Sequence, residues 1–502
     1  MICVAGLGVS GVAAARVLAA RGEQVVVLEG RDTERAREAA AGLAAFGVEV
    51  RFGEPAGPPP GTTTIVTTGW PPHHPMLAAA TAAGIEVIGE VELAWRVRPE
   101  GAAPWLALTG TNGKTTAVRM LTSMLLAAGH RALAVGNVGT PVVEAVAGPA
   151  EVLAVELSSF QLHRSPSIVP HAAAVLNVAP DHLDWHGSME EYARAKGEIF
   201  ARAGTVVYNA DDAWASRLAE PYLDDPGAAA SGSPGTGGPA EPVTGPVTGP
   251  ADVPGGGPTD VPRPARARVV GFTLGVPRPG QVGVVEDLLV DRAFTADPVT
   301  GAEELASFDD VRPFAPHNVA NALAAATLAR AYGVPPAAVR RGLLDFVPDP
   351  HRIAYVARVA EVDYVDDSKA TNPHAAAASL AAYPSIVWVA GGQLKGADVE
   401  DLVRRAAPRL RGAVLLGVDR GRIREALARH AGNVPVVEVD GQDTGVMDRV
   451  VTEAARLAAP GDTVLLAPAG ASWDMFTGYP ARGEAFARAV HRLAEPDGGA
   501  RA

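Results

Sequence analysis

The chain has 502 residues, with 56 Asp and Glu against 43 Lys and Arg and a formal net charge of −13; a nucleic-acid binder would show a basic stripe instead. No apolar run approaches the roughly 20 residues that span a bilayer, and no basic region precedes an apolar stretch at the N-terminus, so neither membrane insertion nor a signal peptide is expected. The single cysteine, Cys3, has no partner for an internal disulfide or a cysteine-based zinc site, and the whole fits a cytoplasmic enzyme of about three domains.

Residues 1–97 open on the apolar run Ile2-Cys3-Val4-Ala5, followed by Gly6-Leu7-Gly8-Val9-Ser10-Gly11 and an alanine-rich helix over 13–20. The chain starts almost on this strand, which leaves room for a true start a few residues upstream. A second strand, 24–28, ends at Glu29. A G-x-G-x-x-G turn between strand and helix, with an acid closing the next strand, is the Rossmann arrangement, in which a phosphate-bearing ligand approaches a helix N-terminus. The motif alone does not name that ligand. Glu29-Gly30-Arg31 mixes an acid with a base, so neither NAD nor NADP is favoured. Thr64-Ile65-Val66 predicts another strand, running into the small-residue loop Thr67-Thr68-Gly69-Trp70.

The second predicted domain, 98–348, begins with a buried strand, Trp105-Leu106-Ala107-Leu108, then Gly110-Thr111-Asn112-Gly113-Lys114-Thr115-Thr116. Helical periodicity follows at Val118, Leu121 and Leu125, up to Gly129. Strand, glycine-rich loop and helix in that order bind a nucleoside triphosphate. Backbone N–H groups converge on the anionic oxygens, the helix N-terminus adds positive potential, Lys114 brings a point charge and Thr115 a hydroxyl for Mg²⁺. The usual pattern has a further glycine five residues before Gly113, where this chain has Leu108, so the loop is a shorter subtype. A strand over 152–155 ends at Glu156 and continues into Leu157-Ser158-Ser159-Phe160-Gln161. An acid at that strand end holds Mg²⁺ directly or through water; the alternative is a solvated glutamate. A strand over 172–176 leads into Asn177 and then Asp181-His182-Leu183-Asp184, either a metal or substrate cluster or a turn held by local hydrogen bonds. A helix over 189–200 carries Lys196.

From 226 to 264, 20 of 39 residues are glycine or proline, and Pro-Val-Thr-Gly occurs twice in tandem. Such a stretch cannot bury enough apolar surface to offset its ordering entropy and reads as a disordered insertion. A strand resumes at 267–272, and a helix over 318–332 is entered through His317-Asn318-Val319-Ala320-Asn321. The third domain, 349–502, alternates strand and helix, with strands at 362–365, 386–390, 413–416, 436–439 and 463–467. Ligands of an open parallel sheet bind beyond the carboxyl ends of its strands. Three loops lie there: residues 366–372, 391–396 and 468–474.

Gly110 to Thr116, Glu156 to Gln161, Asn177 with Asp181-His182, His317-Asn318 with Asn321, and Asp367-Ser368-Lys369-Ala370-Thr371-Asn372 occur in one order over nearly the whole chain. This set resembles the Mur ligases, the ATP-dependent amide-bond-forming enzymes of peptidoglycan precursor synthesis, and within them the branch that adds D-glutamate. The resemblance implies an α/β fold in three domains: a Rossmann-like N-terminal domain, a central P-loop ATPase domain with a mainly parallel sheet, and a Rossmann-like C-terminal domain. It places the UDP moiety of UDP-N-acetylmuramoyl-L-alanine by Gly8, Val9 and Ser10, with Glu29, Gly30, Arg31, Thr67 and Gly69 lining the same site. Asn137, Ser158 and His182 would complete it. Relatives commonly have Ser-Pro-Gly where this chain has Thr67-Thr68-Gly69.

ATP would lie on the loop from Gly110 to Thr116, with Lys114 on the phosphates, Asn321 near the adenine, and Arg352 and Asp367 closing over the nucleotide. Two Mg²⁺ ions are implied, one on Thr115 and Glu156 and one by His182 and a carbamylated Lys196. D-Glutamate would be held by Thr371, Lys395 and Ser472, with Trp473 and Tyr479 nearby; relatives often carry a smaller aliphatic residue at the Trp473 position. Lys114, His182, Lys196 and Lys369 are the implied catalytic residues. The implied partners are small molecules, and the expected state is a monomer. The chemistry suits these residue types: ATP turns a poor acyl donor, a carboxylate, into an acyl phosphate, which an amine then attacks. Other amide ligases of the Mur or folylpolyglutamate type and a non-catalytic P-loop switch stand as alternatives. An oxidoreductase built on residues 6–11 would explain neither Lys114 nor the later domains.

Overall fold

The structure, a computed structural model, describes residues 1–53, 55–223, 267–441 and 445–494. The stretch 226–264, predicted to be disordered, lies outside them. Near-continuous runs of Val, Leu, Ile and Ala form buried parallel strands, as expected where helices cover both sheet faces. β1 (Ile2–Ala5), β2 (Val25–Glu29), β3 (Glu49–Phe52), β4 (Thr64–Thr67) and β5 (Glu86–Gly89) make an all-parallel sheet in the order β3-β2-β1-β4-β5. The order reverses between β1 and β4, and the loops after these strands meet there. Thr68 donates through N and Oγ1 to the Ala5 carbonyl, at 3.3 and 3.2 Å. The helix Val9–Ala20 packs so close that a Cβ on Gly11 would stand 2.0 Å from the Gly6 carbonyl oxygen.

The second sheet contains β6 (Trp105–Thr109), β7 (Ala132–Gly136), β8 (Val152–Glu156), β9 (Ala172–Val175), β10 (Thr205–Asn209), β11 (Arg268–Phe272), β12 (Gln281–Val285), β13 (Leu288–Asp291) and β14 (Glu303–Ser307). Their order is β14-β13-β12-β11-β10-β9-β6-β8-β7, parallel from β7 to β12 and antiparallel through β13 and β14. β6, the strand before the phosphate loop, sits between β8 and β9, with all five residues buried. The predicted helix over 189–200 is α-helical over Met189–Gly197 and closes as a 3₁₀ turn, Glu198–Phe200.

The third sheet contains β15 (Ala354–Val359), β16 (Val362–Asp366), β17 (Ile386–Gly391), β18 (Leu410–Leu416), β19 (Val436–Glu438) and β20 (Thr463–Ala469), in the order β15-β16-β20-β17-β18-β19. Only its edge strand β15 runs antiparallel. The described residues of Met1–Val311 with Ala320–Phe346 form one compact unit, and Arg312–Val319 with those from Val347 onward form a second. The first two sheets thus share a unit, and one hydrophobic cluster joins Val4, Val27 and Val91 to Trp105, Val143 and Tyr192. The third sheet has its own cores, Trp388 and Leu465 on one face and Val389 and Phe486 on the other. Among the described residues no helix is long and apolar enough to cross a membrane.

Candidate active site

The loop from Gly110 to Thr116 joins β6 to the helix Lys114–Ala127, as its sequence predicts. Gly113 has φ +82°, and a Cβ there would stand 2.2 Å from Oδ1 of Asn321. Only glycine meets both conditions, and Asn321, expected near the adenine, lies against the phosphate loop itself. Asn112 and Asn177 pair reciprocally: Asn112 N donates to Asn177 Oδ1 at 2.9 Å, and Asn177 Nδ2 to Asn112 O at 3.1 Å. Thr111 Oγ1 donates to Ala179 O at 3.2 Å and meets Tyr192 OH at 3.1 Å. The Asn177–Ala179 segment therefore fixes the loop. Thr115 stands half-buried in the first turn of the helix.

Two lysines converge on one carbonyl. Lys114 Nζ and Lys196 Nζ each donate to Gly110 O at 2.9 Å. Lys196 is only 1% exposed. Burial first, and then the Lys114 ammonium, push its pKa well below the ordinary lysine value, while Asp181 and Glu156 oppose this. Glu156 ends β8 and is likewise 1% exposed. Its Oε1 accepts from Asn137 Nδ2 at 3.0 Å, and its Oε2 has no hydrogen-bond partner among the described residues. The solvated-glutamate alternative is thereby removed. A buried carboxylate with one free oxygen suits Mg²⁺, which takes one or two carboxylates and fills its shell with phosphate oxygens and water. Among the described residues no group of three or more His, Cys, Asp or Glu gathers as an all-protein metal site. His182, at φ +53°, stands half exposed, with Nε2 3.6 Å from Asp181 Oδ2 and its ring edge-on to Phe160.

Most of the residues expected at the UDP substrate line two neighbouring cavities that share Val9 and Pro141. One, of about 370 Å³, is walled by Val9, Ser10, Thr67, Gly69, Asn137 and Ser158. The other, of about 730 Å³, is walled by Gly8, Val9, Glu29 and Arg31. Gly30 and His182 line neither. Glu29 uses both carboxylate oxygens locally, accepting from Leu7 N at 2.8 Å and Arg31 N at 3.0 Å, so it shapes the glycine turn. Ser158 and Gln161 form a capping box on the short helix Ser159–Leu162. Sequence reasoning missed Trp70, Glu90, Arg164 and Trp185 in the first cavity. Thr67 Oγ1, Glu90 Oε2 and Arg164 Nε are buried there without hydrogen-bond partners among the described residues, and a wall mixing aromatic rings with a few polar groups is the usual make-up of a ligand pocket.

In the second unit the three expected loops do meet, after the adjacent strands β16, β20 and β17. Gln393 and Ala471 exchange backbone hydrogen bonds at 2.8 and 2.9 Å, and Ala469 N donates to Ala370 O at 2.9 Å. Arg482, also missed, is 2% exposed and ties the loops 366–372 and 468–474 together. Its Nε reaches Ser368 Oγ at 3.0 Å, Nη2 reaches Ser368 O at 2.8 Å, and Nη1 reaches Gly470 O at 3.0 Å. Ser472 is buried, Thr371 half-buried, Lys395 exposed at φ +52°, and Trp473 is 68% exposed. Lys369 Nζ lies 4.0 Å over the Tyr479 ring, which opens the helix Tyr479–Ala494. Asp367 is buried, accepts from Ser379 Oγ and from Ile353 N, and burial pushes its carboxyl up to about 6 against the lowering effect of Arg352. His317 is half-buried and held down to about 4, by burial first and then by Arg352. Asn318 donates to Pro313 O at 2.9 Å.

The Mur ligase middle domain family matches residues 108–225, and the Mur ligase glutamate ligase domain family matches residues 351–470. The UDP-N-acetylmuramoylalanine--D-glutamate ligase of Thermobifida fusca is 58% identical over 98% of both chains. The enzyme of the same name from Streptomyces avermitilis is 56% identical, again over 98% of each. Among solved structures, MurF from Acinetobacter baumannii covers 94% of this chain and 91% of its own at a TM-score of 0.57 and 18% identity, a likeness of fold alone. The UDP-N-acetylmuramate-alanine ligase MurC of Thermotoga maritima is similar at a TM-score of 0.54 and 16% identity, over 98% of both chains. With such identity along nearly its whole length, on top of a phosphate loop and a third-sheet loop cluster built as described, the chain belongs to the Mur ligase family.

Proposed function

We propose that this protein is the ATP-dependent ligase that joins D-glutamate to UDP-N-acetylmuramoyl-L-alanine in peptidoglycan precursor synthesis. The observation that carries the reading is the convergence of Lys114, Lys196 and the half-paired Glu156 at one loop, beside a cavity walled by Asn137 and Ser158. In this reading residues 1–97 hold the UDP moiety, 98–348 the ATP, and 349–502 the D-glutamate.

Lys114 and the backbone amides of its loop neutralise charge on the transferring phosphoryl group, which needs positioning and electrostatic stabilisation more than covalent help. Thr115 and Glu156 are the residues that would hold Mg²⁺, and the ion would neutralise phosphate charge as the phosphoryl group moves. Lys196 in carbamylated form, with His182, would hold a second. Asn321, Arg352 and Asp367 are the further nucleotide ligands. Gly8, Val9, Ser10, Glu29, Gly30, Arg31, Thr67 and Gly69 bind the UDP moiety, and Asn137, Ser158 and His182 the rest of that substrate. The terminal carboxylate of UDP-N-acetylmuramoyl-L-alanine takes the γ-phosphoryl group. The amine of D-glutamate, held by Thr371, Lys395 and Ser472 with Trp473 and Tyr479 nearby, then displaces phosphate, and Lys369 steadies the charge that develops. Small-molecule partners, a monomeric state and a cytoplasmic location belong to the same reading.

The test is phosphate release with ATP, UDP-N-acetylmuramoyl-L-alanine and a panel of amino acids. Release should depend strongly on D-glutamate, and equal turnover with L-lysine or meso-diaminopimelate would sink the assignment.

A further inference from the structure

Glu90 takes no part in the steps above, yet it is built into the wall of the smaller cavity. It follows β5 directly, opens the helix Glu90–Val97 and is 4% exposed. Its Oε1 accepts from Val143 N at 2.7 Å, and burial pushes the carboxyl up to about 7. Val143 lies in the short helix Val142–Ala145, immediately after the loop 136–141, five of whose residues line the cavity. At its other end that loop is held by Glu156: Asn137 N donates to Glu156 O at 2.9 Å, and Asn137 Nδ2 to Glu156 Oε1 at 3.0 Å. The loop also packs tightly against β7 and β8. A Cβ on Gly136 would stand 2.2 Å from Glu156 O, and one on Gly139 would stand 2.8 Å from Ala134 O.

We propose that Glu90 is a positioning residue for the UDP-linked amino-sugar substrate: by accepting the Val143 amide it clamps the loop that carries Asn137 against the first sheet and so sets the affinity of this cavity. The proposal rests on the ligase reading. It requires an acceptor of the right length at position 90; a negative charge is secondary. A glutamine carbonyl would serve, an aspartate would reach one methylene short, and an alanine would leave the Val143 amide buried and unpaired.

The test is steady-state kinetics of the full chain, with KM measured separately for UDP-N-acetylmuramoyl-L-alanine, ATP and D-glutamate. Glu90→Ala should raise the KM for the UDP substrate about tenfold, the effect of one buried hydrogen bond, with the KM for ATP within about twofold of wild type. Glu90→Asp should show the same split in smaller degree, and Glu90→Gln should stay close to wild type. A plain helix cap would lower the melting temperature of Glu90→Ala and move all KM values alike, and that result overturns the proposal. So does a Gln variant as impaired as Ala. If Ala does not fold, an Asp variant with no split decides against it. Calorimetric titration with UDP-N-acetylmuramoyl-L-alanine alone separates this idea from the ligase reading. Wild type that binds this compound but shows no D-glutamate-dependent phosphate release refutes the ligase reading, and unweakened binding by Glu90→Ala refutes the clamp.

Discussion

Lys114 and Lys196 direct two amines at the Gly110 carbonyl, and this sharing shapes the chemistry of both. In the proposed reaction Lys114 is the charge opposite the transferring phosphate, so Lys114→Ala should fold normally and turn over at less than about a tenth of the wild-type rate. Retention of more than that would contradict the role. Lys196 is the residue whose fate the sequence left most open, because a lysine on a helix ordinarily points to water. Buried beside a second cation, it is pushed towards the neutral amine, the form that the proposed attack on CO₂ requires. The proposed carbamate would be an anion, which the Lys114 ammonium attracts where it repels a charged Lys196. Lys196→Ala should therefore be nearly inactive and partly restored by acetate; near-normal activity in CO₂-depleted buffer would remove the carbamate. Asp367 offers a pH test. Its folded pKa of about 6 lies above the unfolded value, so its contribution to stability is full below about pH 4 and declines as pH rises through about 6. Asp367→Asn should thus gain stability relative to wild type between pH 4 and 7, read by urea unfolding at several pH values. A stability difference that does not change with pH would show that burial does not raise this carboxyl.

The loops after β16, β17 and β20 were legible in the sequence because each follows a run rich in apolar residues, interrupted in β16 by Asp363, and parallel topology carries all such loop starts to one end of the sheet. The phosphate loop was legible for the same reason, with glycine spacing added. Arg482 was not legible: an arginine in a helix with an amphipathic pattern reads as part of the solvated face, and nothing local says that Ser368 and Gly470 will surround it. Glu90 was hidden likewise, since its partner Val143 lies 53 residues away. Two edge strands escaped too, although the edge strand β19 was read at 436–439. β3 alternates charge, with Glu49 and Arg51 paired to one another at 2.7 Å, and β15 has no continuous buried run. Arg482 makes a prediction at this scale. Burial lowers its pKa to about 10, and three donors of its planar fork are used. Lysine cannot reproduce that fork. Arg482→Lys should raise the KM for D-glutamate about tenfold and lower the melting temperature by a few degrees, because two buried carbonyls lose partners. An unchanged KM alongside a lowered melting temperature would reduce Arg482 to a structural cross-link.

For the whole molecule, three sheets were readable from three series of strands, while the union of the first two in one compact unit was not. That union arises from side chains that no periodicity pairs, such as Trp95 edge-on to Trp105 at 5.0 Å. The segment 312–319, which groups with the third sheet's unit ahead of the predicted boundary at 348, was hidden for the same reason. The insertion at 226–264 supplies the last prediction, argued from its composition and its flanks. Before it, the helix Ala213–Leu223 packs on β10; after it, β11 pairs with β10 in register, Thr205 opposite Arg268 through Asn209 opposite Phe272. Both flanks are thus fixed by contacts of their own, and 39 residues of which 20 are glycine or proline add little that could be buried. Replacing 226–264 by a bridge of about eight residues shortens the closed loop more than fourfold, which by loop-closure entropy favours the folded state by about 1 kcal/mol. The shortened protein should melt slightly higher and keep its phosphate-release rate within about twofold. Loss of folding would mean that the segment supplies contacts its composition conceals, and loss of turnover with folding intact would mean that it serves the reaction itself.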